Sequence, residues 1–255
     1  MTARNTLENT LSNIRIVLIQ TSHPGNIGST ARAMKTMGLS ELYLVKPKSF
    51  PDEQATAMSS NASDILDKAM VVDNLQDALV DCHWVVGSSA RNERSLAWDV
   101  LEARECGEQV VEKTHLGKVA LVFGRESSGI TNDELAHCHH LVHIPTNPDY
   151  SSLNLASAVQ LLSYECRVAN INSAKTKMES IGKVKREEET VTADAMESYY
   201  QHLESAMIDA KFLDPHNPKH LMTRLRRLYS RAQVSASELN ILRGMLVAFQ
   251  KNNKT

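Results

Sequence analysis

The features that are scarce in this sequence narrow the class of protein to which it can belong. Only four of its 255 residues are cysteines and none form a C-x-x-C pair, so reduced thiols are expected rather than a disulfide framework or a zinc ribbon. No apolar run approaches the roughly 20 residues of a membrane span, and the polar segment 1–13 lacks the apolar core of a signal peptide. Neither sign of charge dominates, since the net charge is −2. We therefore expect a cytoplasmic protein without a membrane partner, which would bind a polyanion only through a local basic patch.

Strand and helix patterns alternate along most of the chain. Apolar, β-branched runs such as Ile14–Ile19 and Val119–Phe123 predict buried strands with helical segments between them. This alternation predicts an α/β fold with a mostly parallel sheet. Residues 171–190 are rich in Ser, Lys and Glu, and residues 191–255 carry only helical signals. We therefore predict an α/β domain (13–170), a linker or exposed helix (171–190) and a small all-helical C-terminal extension (191–255).

Three polar clusters follow predicted strands, at the sheet edge where open α/β sheets bind their ligands. The first is segment 25–32, which leads into a helix predicted from residue 27 to residue 37. The second is segment 122–130, where a strand ends in glycine. The third is segment 144–156, where a strand ends at a proline and two serines are predicted to begin a helix. Neither a G-x-G-x-x-G nor a G-K-[ST] spacing is present, so a nucleotide-phosphate loop is not indicated.

Single residues of these clusters have plain structural explanations. Asn26 suits a helix N-cap, Arg32 suits a solvated helix position, and Gly124 suits a loop with positive φ. Asn154 is harder to explain, because asparagine is a poor helix former and the predicted helix would hold it in its first turn. A weaker fourth signal is the segment 87–91, which again has small residues after a strand.

Taken together and in order, the three clusters are more specific. Asn26-x-Gly28-x-x-x-Arg32, then Phe123-Gly124-Arg125-Glu126-x-x-Gly129, then Ser151-Ser152-Leu153-Asn154-Leu155-Ala156 resemble the ordered motifs of the TrmH-like RNA 2′-O-ribose methyltransferases of the SPOUT class. The resemblance covers roughly residues 14–168. It implies a trefoil-knotted α/β domain, a homodimer, and S-adenosyl-L-methionine as methyl donor. The implied substrate is the anticodon stem-loop of tRNA, methylated on the ribose 2′-hydroxyl of a cytidine or uridine at tRNA position 32, the first nucleotide of the loop.

The resemblance also implies roles by motif position. The catalytic set would comprise Arg32, Asn26, Glu126, Ser152 and Asn154. The cofactor would lie on Ser88, Ser89, Ala90, Gly124, Ile144, Ser151, Ser152 and Leu153. Negative charge develops on a ribose hydroxyl as it attacks, and a fixed guanidinium can stabilise that charge. Because arginine is effectively never deprotonated, we expect Arg32 to organise the substrate rather than act as a simple base.

One helix of the extension is predicted to bind RNA. Arg224, Arg227 and Arg231 share one helical face, with Lys219 just before the helix, while leucines occupy another face. An amphipathic helix with an ordinary solvated face would show the same pattern. The excess of cations over carboxylates in this segment favours contact with RNA phosphates.

Three other readings compete with the methyltransferase. The run His137-Cys138-His139-His140 resembles a metal site, but adjacent residues project in different directions, so no metal is predicted. A non-catalytic RNA-binding module would use the basic helix but would have no need for Asn26, Arg32 and Asn154 together. A nucleotide-dependent small-molecule enzyme would account for the α/β alternation, but its phosphate motifs are missing.

Overall fold

A seven-stranded parallel sheet forms the centre of the computed structural model, which describes residues 10–89, 98–179, 191–215 and 219–252. In chain order the strands are β1 (Ile14–Ile19), β2 (Glu41–Val45), β3 (Met70–Val72), β4 (Cys82–Ser88), β5 (Val100–Glu102), β6 (Lys118–Phe123) and β7 (His140–His143). They lie side by side in the order β3-β2-β1-β6-β4-β7-β5, and each neighbouring pair is parallel. The sheet confirms the predicted α/β class.

Helices cover the sheet and extend the chain beyond it. Those of the α/β part are α1 (Pro24–Met37), α2 (Glu53–Ser59), α3 (Ser63–Asp67), α4 (Leu75–Ala78), α5 (Ala103–Lys113), α6 (Asn132–Leu135) and α7 (Leu155–Glu179). Those of the C-terminal part are α8 (Ala193–Asp209), α9 (Leu221–Ala232) and α10 (Ala236–Asn252). The predicted all-helical extension is thus confirmed, whereas the trefoil knot stays a prediction.

The apolar runs form strands because both faces of the sheet are covered. Along β1, Ile14, Ile16 and Leu18 lie in one buried cluster, and Val17 and Ile19 lie in a second. Side chains alternate between the two faces of a strand, so a strand that is covered on both sides is apolar at nearly every position. The exception in β1 is Arg15, which is buried and donates to the carbonyl oxygen of Ala78 at 2.7 Å. A third cluster, which includes Tyr199, Tyr200 and Leu246, forms the core of the C-terminal helices.

Two helix starts differ from the sequence prediction. α1 begins at Pro24 rather than residue 27, with His23 at the N-cap position, so Asn26 is not the cap but lies in the first turn. Proline suits the first helical position because its fixed φ is already helical. α7 begins at Leu155 rather than at Ser151 or Ser152, since a 3-10 turn over Pro148–Tyr150 and an irregular segment, 151–154, precede it.

α7 also ends later than the predicted domain boundary at residue 170. It continues as a helix to Glu179, through the first part of the segment 171–190. The remainder of that segment lies outside the described residues. The helical pattern therefore persists where apolar residues become sparse, in line with the high helix propensity of lysine, glutamate and alanine.

Candidate active site

The three polar clusters meet at one edge of the sheet. The strands that carry them are β1, β6 and β7, and the first two are adjacent. Because parallel strands end at the same edge, the loops after them come together although they are far apart in sequence. Ser22 and Glu126, for example, are 104 residues apart and are hydrogen-bonded.

A cavity of about 310 Å³ opens at this edge. It is lined by the end of β4, by the turn after β6, by Ile144 after β7 and by the segment that leads into α7. Every described residue of the predicted cofactor set lines it: Ser88, Ser89, Gly124, Ile144, Ser151, Ser152 and Leu153. The remaining one, Ala90, lies outside the described residues. The structure thus brings together residues that the motifs alone could only suggest.

The turn after β6 explains two motif glycines. Arg125 and Gly129 exchange backbone hydrogen bonds, N–H to O, of 3.1 and 2.8 Å. A Cβ atom on Gly124 would lie 2.1 Å from the carbonyl carbon of Gly129, and Gly129 itself has a φ of 69°. The first position therefore requires glycine for close backbone approach, and the second suits it because its φ lies in the left-handed region.

The lining of the cavity fits S-adenosylmethionine. Its volume lies at the lower end of the range typical of small-molecule sites, roughly 300–1,000 Å³. Phe123, Ile144 and Leu153 offer apolar surface for an adenine ring, and the serines and the backbone of the turn offer hydrogen-bond partners for ribose and amino-acid groups.

A chain of hydrogen bonds beside the cavity joins three of the predicted catalytic residues. Asn154 Nδ2 donates to Asn26 Oδ1 at 3.0 Å, and Asn26 Nδ2 donates to Glu126 Oε1 at 3.0 Å. Glu126 also accepts from the backbone N–H of Ser22 at 3.1 Å and from the backbone N–H of His23 at 3.3 Å. Each amide is therefore fixed in orientation, because its donor side and its acceptor side have different partners.

Glu126 remains ionised in this network. Its partial burial acts to raise the carboxyl pKa, but the hydrogen bonds from Asn26, Ser22 and His23 outweigh burial and lower the pKa. A lowered pKa keeps the group a pure acceptor at neutral pH. The stability that these bonds contribute is present above the unfolded-state pKa, roughly 4, and is lost as the pH falls through the lower folded-state value.

Asn154 also has a structural role that the sequence analysis did not predict. Its Oδ1 accepts from the backbone N–H of Ala156 at 2.9 Å, so it caps α7. The expectation that it lies inside the first turn was wrong. Asparagine is among the best N-cap residues because its side chain can accept these otherwise unpaired N–H groups. Its Nδ2 is left to hold Asn26.

Arg32 is not in contact with that network within one chain. It lies six residues after Asn26 on α1, which is about 120° around the helix, and its side chain is exposed. Among the described residues no hydrogen bond or ion pair holds it. Gly28, the motif residue between them, faces α2, where a Cβ atom would lie 2.0 Å from the carbonyl oxygen of Ala55. That glycine is required by helix packing.

The predicted RNA-binding cations have different surroundings. Lys219, Arg224 and Arg231 are exposed. The Arg227 guanidinium lies over the Trp98 ring, 5.1 Å from its centroid, in a cation–π contact between the extension and the α/β part. Neighbouring Arg226 instead forms a bidentate pair with Glu197 on α8.

The histidine run is used structurally. His139 is partly buried and its Nδ1 accepts from the backbone N–H of Val85 at 3.0 Å, and desolvation of the ring lowers its pKa to about 4. His140 packs against Trp84, with ring centroids 5.3 Å apart, and His137 Nδ1 lies 3.7 Å from Glu197. Within the described ranges no group of His, Cys, Asp or Glu side chains is arranged to hold a metal ion. In the same ranges, no helix combines the length and the apolar character of a membrane span.

Sequence reasoning missed two contributors to this edge. Ser22 holds Glu126 through both its N–H and its hydroxyl, and Arg125 ties the turn after β6 to other elements. Ser22 lies between β1 and the first motif. Its position directly after a strand is the sequence feature that could have identified it as a site residue. Arg125 lies inside the second motif, but the sequence analysis predicted no role for it.

Comparisons with known proteins agree with this geometry. Residues 13–164 match the model of the SpoU rRNA Methylase family, and residues 194–255 match that of the C-terminal domain of tRNA methyltransferase TrmJ. A tRNA (cytidine/uridine/adenosine-2′-O-)-methyltransferase TrmJ from Pseudomonas aeruginosa is 54% identical, over 94% of this chain and 95% of that one. A tRNA (cytidine/uridine-2′-O-)-methyltransferase TrmJ from Yersinia pestis is 53% identical, over 96% and 94%. The crystal structure of TrmJ from Z. mobilis superposes with a TM-score of 0.80 at 28% identity, covering 92% of this chain and 98% of that one.

The sheet, the cavity and the motif network define a methyltransferase that uses S-adenosylmethionine. The chain belongs to the SpoU methylase family and, within it, to the TrmJ methyltransferases. The predicted resemblance is thereby confirmed.

Proposed function

We propose that this tRNA 2′-O-methyltransferase methylates the ribose of the first anticodon-loop nucleotide, tRNA position 32, when it is a cytidine or uridine. The observation that carries the methyl-transfer part of the proposal is the Asn154–Asn26–Glu126 network beside a cavity lined by the predicted cofactor residues. Position 32 is what the resemblance of the motifs implies. The relatives from Pseudomonas and Yersinia, both named as tRNA 2′-O-methyltransferases, support the ribose as the target.

The network would orient groups around the reacting hydroxyl. S-adenosylmethionine, when bound, supplies an electrophilic methyl group, so the protein mainly has to align the hydroxyl and exclude water. We assign Asn26 and Asn154 to hold the ribose and its neighbours by hydrogen bonds, with Glu126 fixing Asn26. Arg32 would stabilise the charge that develops on the ribose oxygen while it holds an adjacent phosphate. A phosphate oxygen of the substrate would accept the proton.

The cofactor would bind across the cavity wall. Ser88, Ser89 and the serines before α7 would meet its polar groups, and Ile144 and Leu153 would pack against its adenine. Ser152, which belongs to both predicted sets, lines the same cavity. Gly124 would shape this wall by allowing the backbone of Gly129 to pack closely against it.

We infer that the functional unit is a homodimer. On α7, Leu161, Tyr164 and Ile171 share one face and are exposed by 42%, 48% and 39%. α1 lies beside α7, joined by the Arg167 Nη1 bond to the Met37 carbonyl oxygen at 3.1 Å. A second copy on this face would cover the apolar stripe and bring another polypeptide near exposed Arg32. Sedimentation equilibrium of the purified chain tests this, and a monomer at micromolar concentration would contradict it.

Nucleoside analysis tests the proposed target. Unmodified tRNA incubated with the purified chain and S-adenosylmethionine should gain one methyl group on the ribose at position 32. Nuclease mapping followed by mass spectrometry identifies both the nucleotide and the atom, because ribose methylation blocks cleavage at the next phosphate. The names of the two relatives differ in whether adenosine is included, so tRNAs with C, U or A at this position form the matched set. A methyl group at another position would contradict the proposal.

The exposed cations of α9 should contribute to tRNA affinity. With Arg224 and Arg231 both changed to Gln, we expect tRNA to bind about tenfold more weakly at physiological salt, with the slope of log affinity against log salt shallower by about one to two. The control is Arg104→Gln, which removes an arginine that is 78% exposed on α5. Arg227 stays unchanged because its contact with Trp98 links it to the fold. Undiminished affinity in the double variant would assign tRNA recognition to the α/β part alone. Equal losses in the double variant and the control would show a general effect of net charge and would also contradict the prediction.

An RNA-binding protein without catalysis is the second candidate. The basic helix fits it, but it gives no role to the Asn154–Asn26–Glu126 network or to the cavity. Binding of S-adenosylhomocysteine distinguishes the two, since only the methyltransferase requires it.

A further inference from the structure

The Arg125 guanidinium connects three separate pieces of chain. Its Nε donates to Gln20 Oε1 at 2.7 Å, and its two terminal nitrogens donate to the Glu134 carboxylate at 2.9 and 2.8 Å. One of them also lies 3.3 Å from the carbonyl oxygen of Gly129. We propose that Arg125 is a positioning residue that fastens the turn 124–130 to the end of β1 and to α6, and so fixes one wall of the cofactor cavity. This inference rests on the proposed function, in which that cavity holds S-adenosylmethionine.

Apart from Arg125, the turn is held on the β1 side by the hydrogen bonds that Glu126 accepts from Ser22 and Asn26. Inside the turn, two backbone hydrogen bonds pair Arg125 with Gly129, and the tip residues Ser127 and Ser128 are exposed. Yet residues 123–130 supply half of the cavity lining. A surface loop with so few internal bonds samples open conformations easily unless it is tied to a rigid element. A ligand that needs the closed turn would then bind in proportion to the closed fraction.

Both anchor points are themselves fixed. Gln20 ends β1 with a φ of 48°, and its backbone N–H donates to the Val45 carbonyl oxygen at 2.8 Å. Glu134 lies in the capping box of α6, where it accepts from the backbone N–H of Thr131 at 2.8 Å. The guanidinium therefore joins the turn to two elements that have other contacts of their own.

The same turn also sets the catalytic network. Arg125 and Glu126 are consecutive, but their side chains have different partners: Arg125 reaches Gln20 and Glu134, whereas Glu126 reaches Ser22 and Asn26. The turn is thus held on two sides. Loss of the Arg125 side leaves the Glu126 side in place, so cofactor affinity should suffer more than the chemical step.

The ion pair is formed at neutral pH. Arg125 and Glu134 side chains are 19% and 18% exposed, and a bidentate pair of this kind is stronger and more directional than a single contact. Burial acts to raise the pKa of Glu134, but the hydrogen bonds from Arg125 and Thr131 outweigh it and lower that pKa. The pairing contributes stability above the unfolded-state carboxyl pKa and loses it as the pH falls through the folded-state value.

The test compares two ion pairs of the same kind. Arg125→Gln and Glu134→Gln break the proposed fastening, and glutamine at 134 can still accept from Thr131 as in other capping boxes. Arg226→Gln and Glu197→Gln are the matched controls, since that pair is also bidentate and its side chains are 16% and 22% exposed, but it joins α9 to α8. Calorimetry with S-adenosylhomocysteine gives the dissociation constant, and thermal unfolding without ligand gives the loss of stability.

We expect Arg125→Gln to weaken S-adenosylhomocysteine binding about tenfold, and the Arg226 and Glu197 controls to stay within twofold of the wild type. The double variant Arg125→Gln with Glu134→Gln should bind no more weakly than Arg125→Gln, because the two residues act as one unit. In steady-state assays KM for S-adenosylmethionine should rise about tenfold, with kcat lowered by less than about threefold. The affinity of Arg125→Lys for S-adenosylhomocysteine should lie between those of the wild type and Arg125→Gln, since one ammonium group cannot reach both Gln20 and Glu134.

Three results would overturn the inference. Equal cofactor affinity in Arg125→Gln and wild type would show that the turn is closed without the guanidinium. Equal weakening by the control pair would show a general loss of stability instead. Failure of the wild type to bind S-adenosylhomocysteine would reject the proposed function as well. This result is distinguishable from the other two because no variant, nor the wild type, would then show binding. If Arg125→Gln does not fold, Arg125→Lys and Glu134→Gln decide the question with the same measurements.

Discussion

Replacing Arg32 with alanine is expected to lower methyl transfer by about 10³-fold while the affinity for S-adenosylhomocysteine stays within about twofold. Arg32 is exposed, and no hydrogen bond or ion pair holds it in the part of the chain that the structure describes. Its removal therefore costs the fold little, and a loss of activity reports a lost interaction with the substrate. Arg32→Lys should rescue little, because the lysine ammonium cannot reproduce the planar fork that binds phosphate in a bidentate way.

Lys35→Ala is the matched control for Arg32. Lys35 is a cation on the same helix, 47% exposed, and its Nζ lies 2.7 Å from Asp64 Oδ1. It should retain most of the activity, since an exposed ion pair of this kind contributes little to stability. Single-turnover rates separate chemistry from release, and calorimetry measures the cofactor. An Arg32→Ala variant with near wild-type rates would remove Arg32 from the proposed catalytic set.

A tRNA with a single 2′-deoxy nucleotide at position 32 should accept no methyl group there, although it should bind almost as tightly as the normal tRNA. The substitution removes the proposed nucleophile and keeps the phosphates, which dominate affinity for nucleic acid. The candidate site favours a ribose target for the same reason: its network consists of two amides and one carboxylate. None of the four cysteines, all buried, belongs to it as a nucleophile for base methylation.

The control for the deoxy substrate is a tRNA with the same substitution at a neighbouring loop nucleotide. It should be methylated at a rate close to that of the normal tRNA, which separates loss of the nucleophile from a change in loop shape. Methylation of the base at position 32 of the deoxy tRNA would contradict the ribose assignment. Binding of both tRNAs is measured at the same salt concentration, because their affinities are comparable only under that condition.

Sequence patterns predicted the elements that carry strong periodicity. β1 spans the predicted residues, and β6 starts one residue earlier than predicted. Both strands were recognisable in the sequence because long apolar runs fill both faces of central strands. The capping box that Thr131 and Glu134 form also has the sequence spacing, three residues apart, that is typical of this motif. In contrast, β5 and α5 lie in a stretch of mixed polarity that the patterns could not assign. An edge strand of three residues has too short a run to show alternation.

The geometry of the site depends on pairings that a single sequence does not encode locally. The motifs named Asn26, Glu126 and Asn154 as a set, but not which atoms meet, and the cap formed by Asn154 shifted the start of α7. Arg125 lies inside a motif, yet its partners Gln20 and Glu134 become visible only when β1, β6 and α6 are brought together. Contacts of this kind follow from sheet order, which no local pattern determines.

The long sequence separations within the site have a consequence for how the enzyme is made. Asn26 must meet Glu126, 100 residues later, and Asn154, 128 residues later. During synthesis from the N-terminus, β1 therefore waits for β6 before it gains its second neighbour in the sheet. Such non-local pairing slows folding and leaves apolar strand edges uncovered in the growing chain. Methyl-transfer activity would thus appear late in synthesis, only after the start of α7 has left the ribosome, and shorter nascent chains would depend on chaperones to remain soluble.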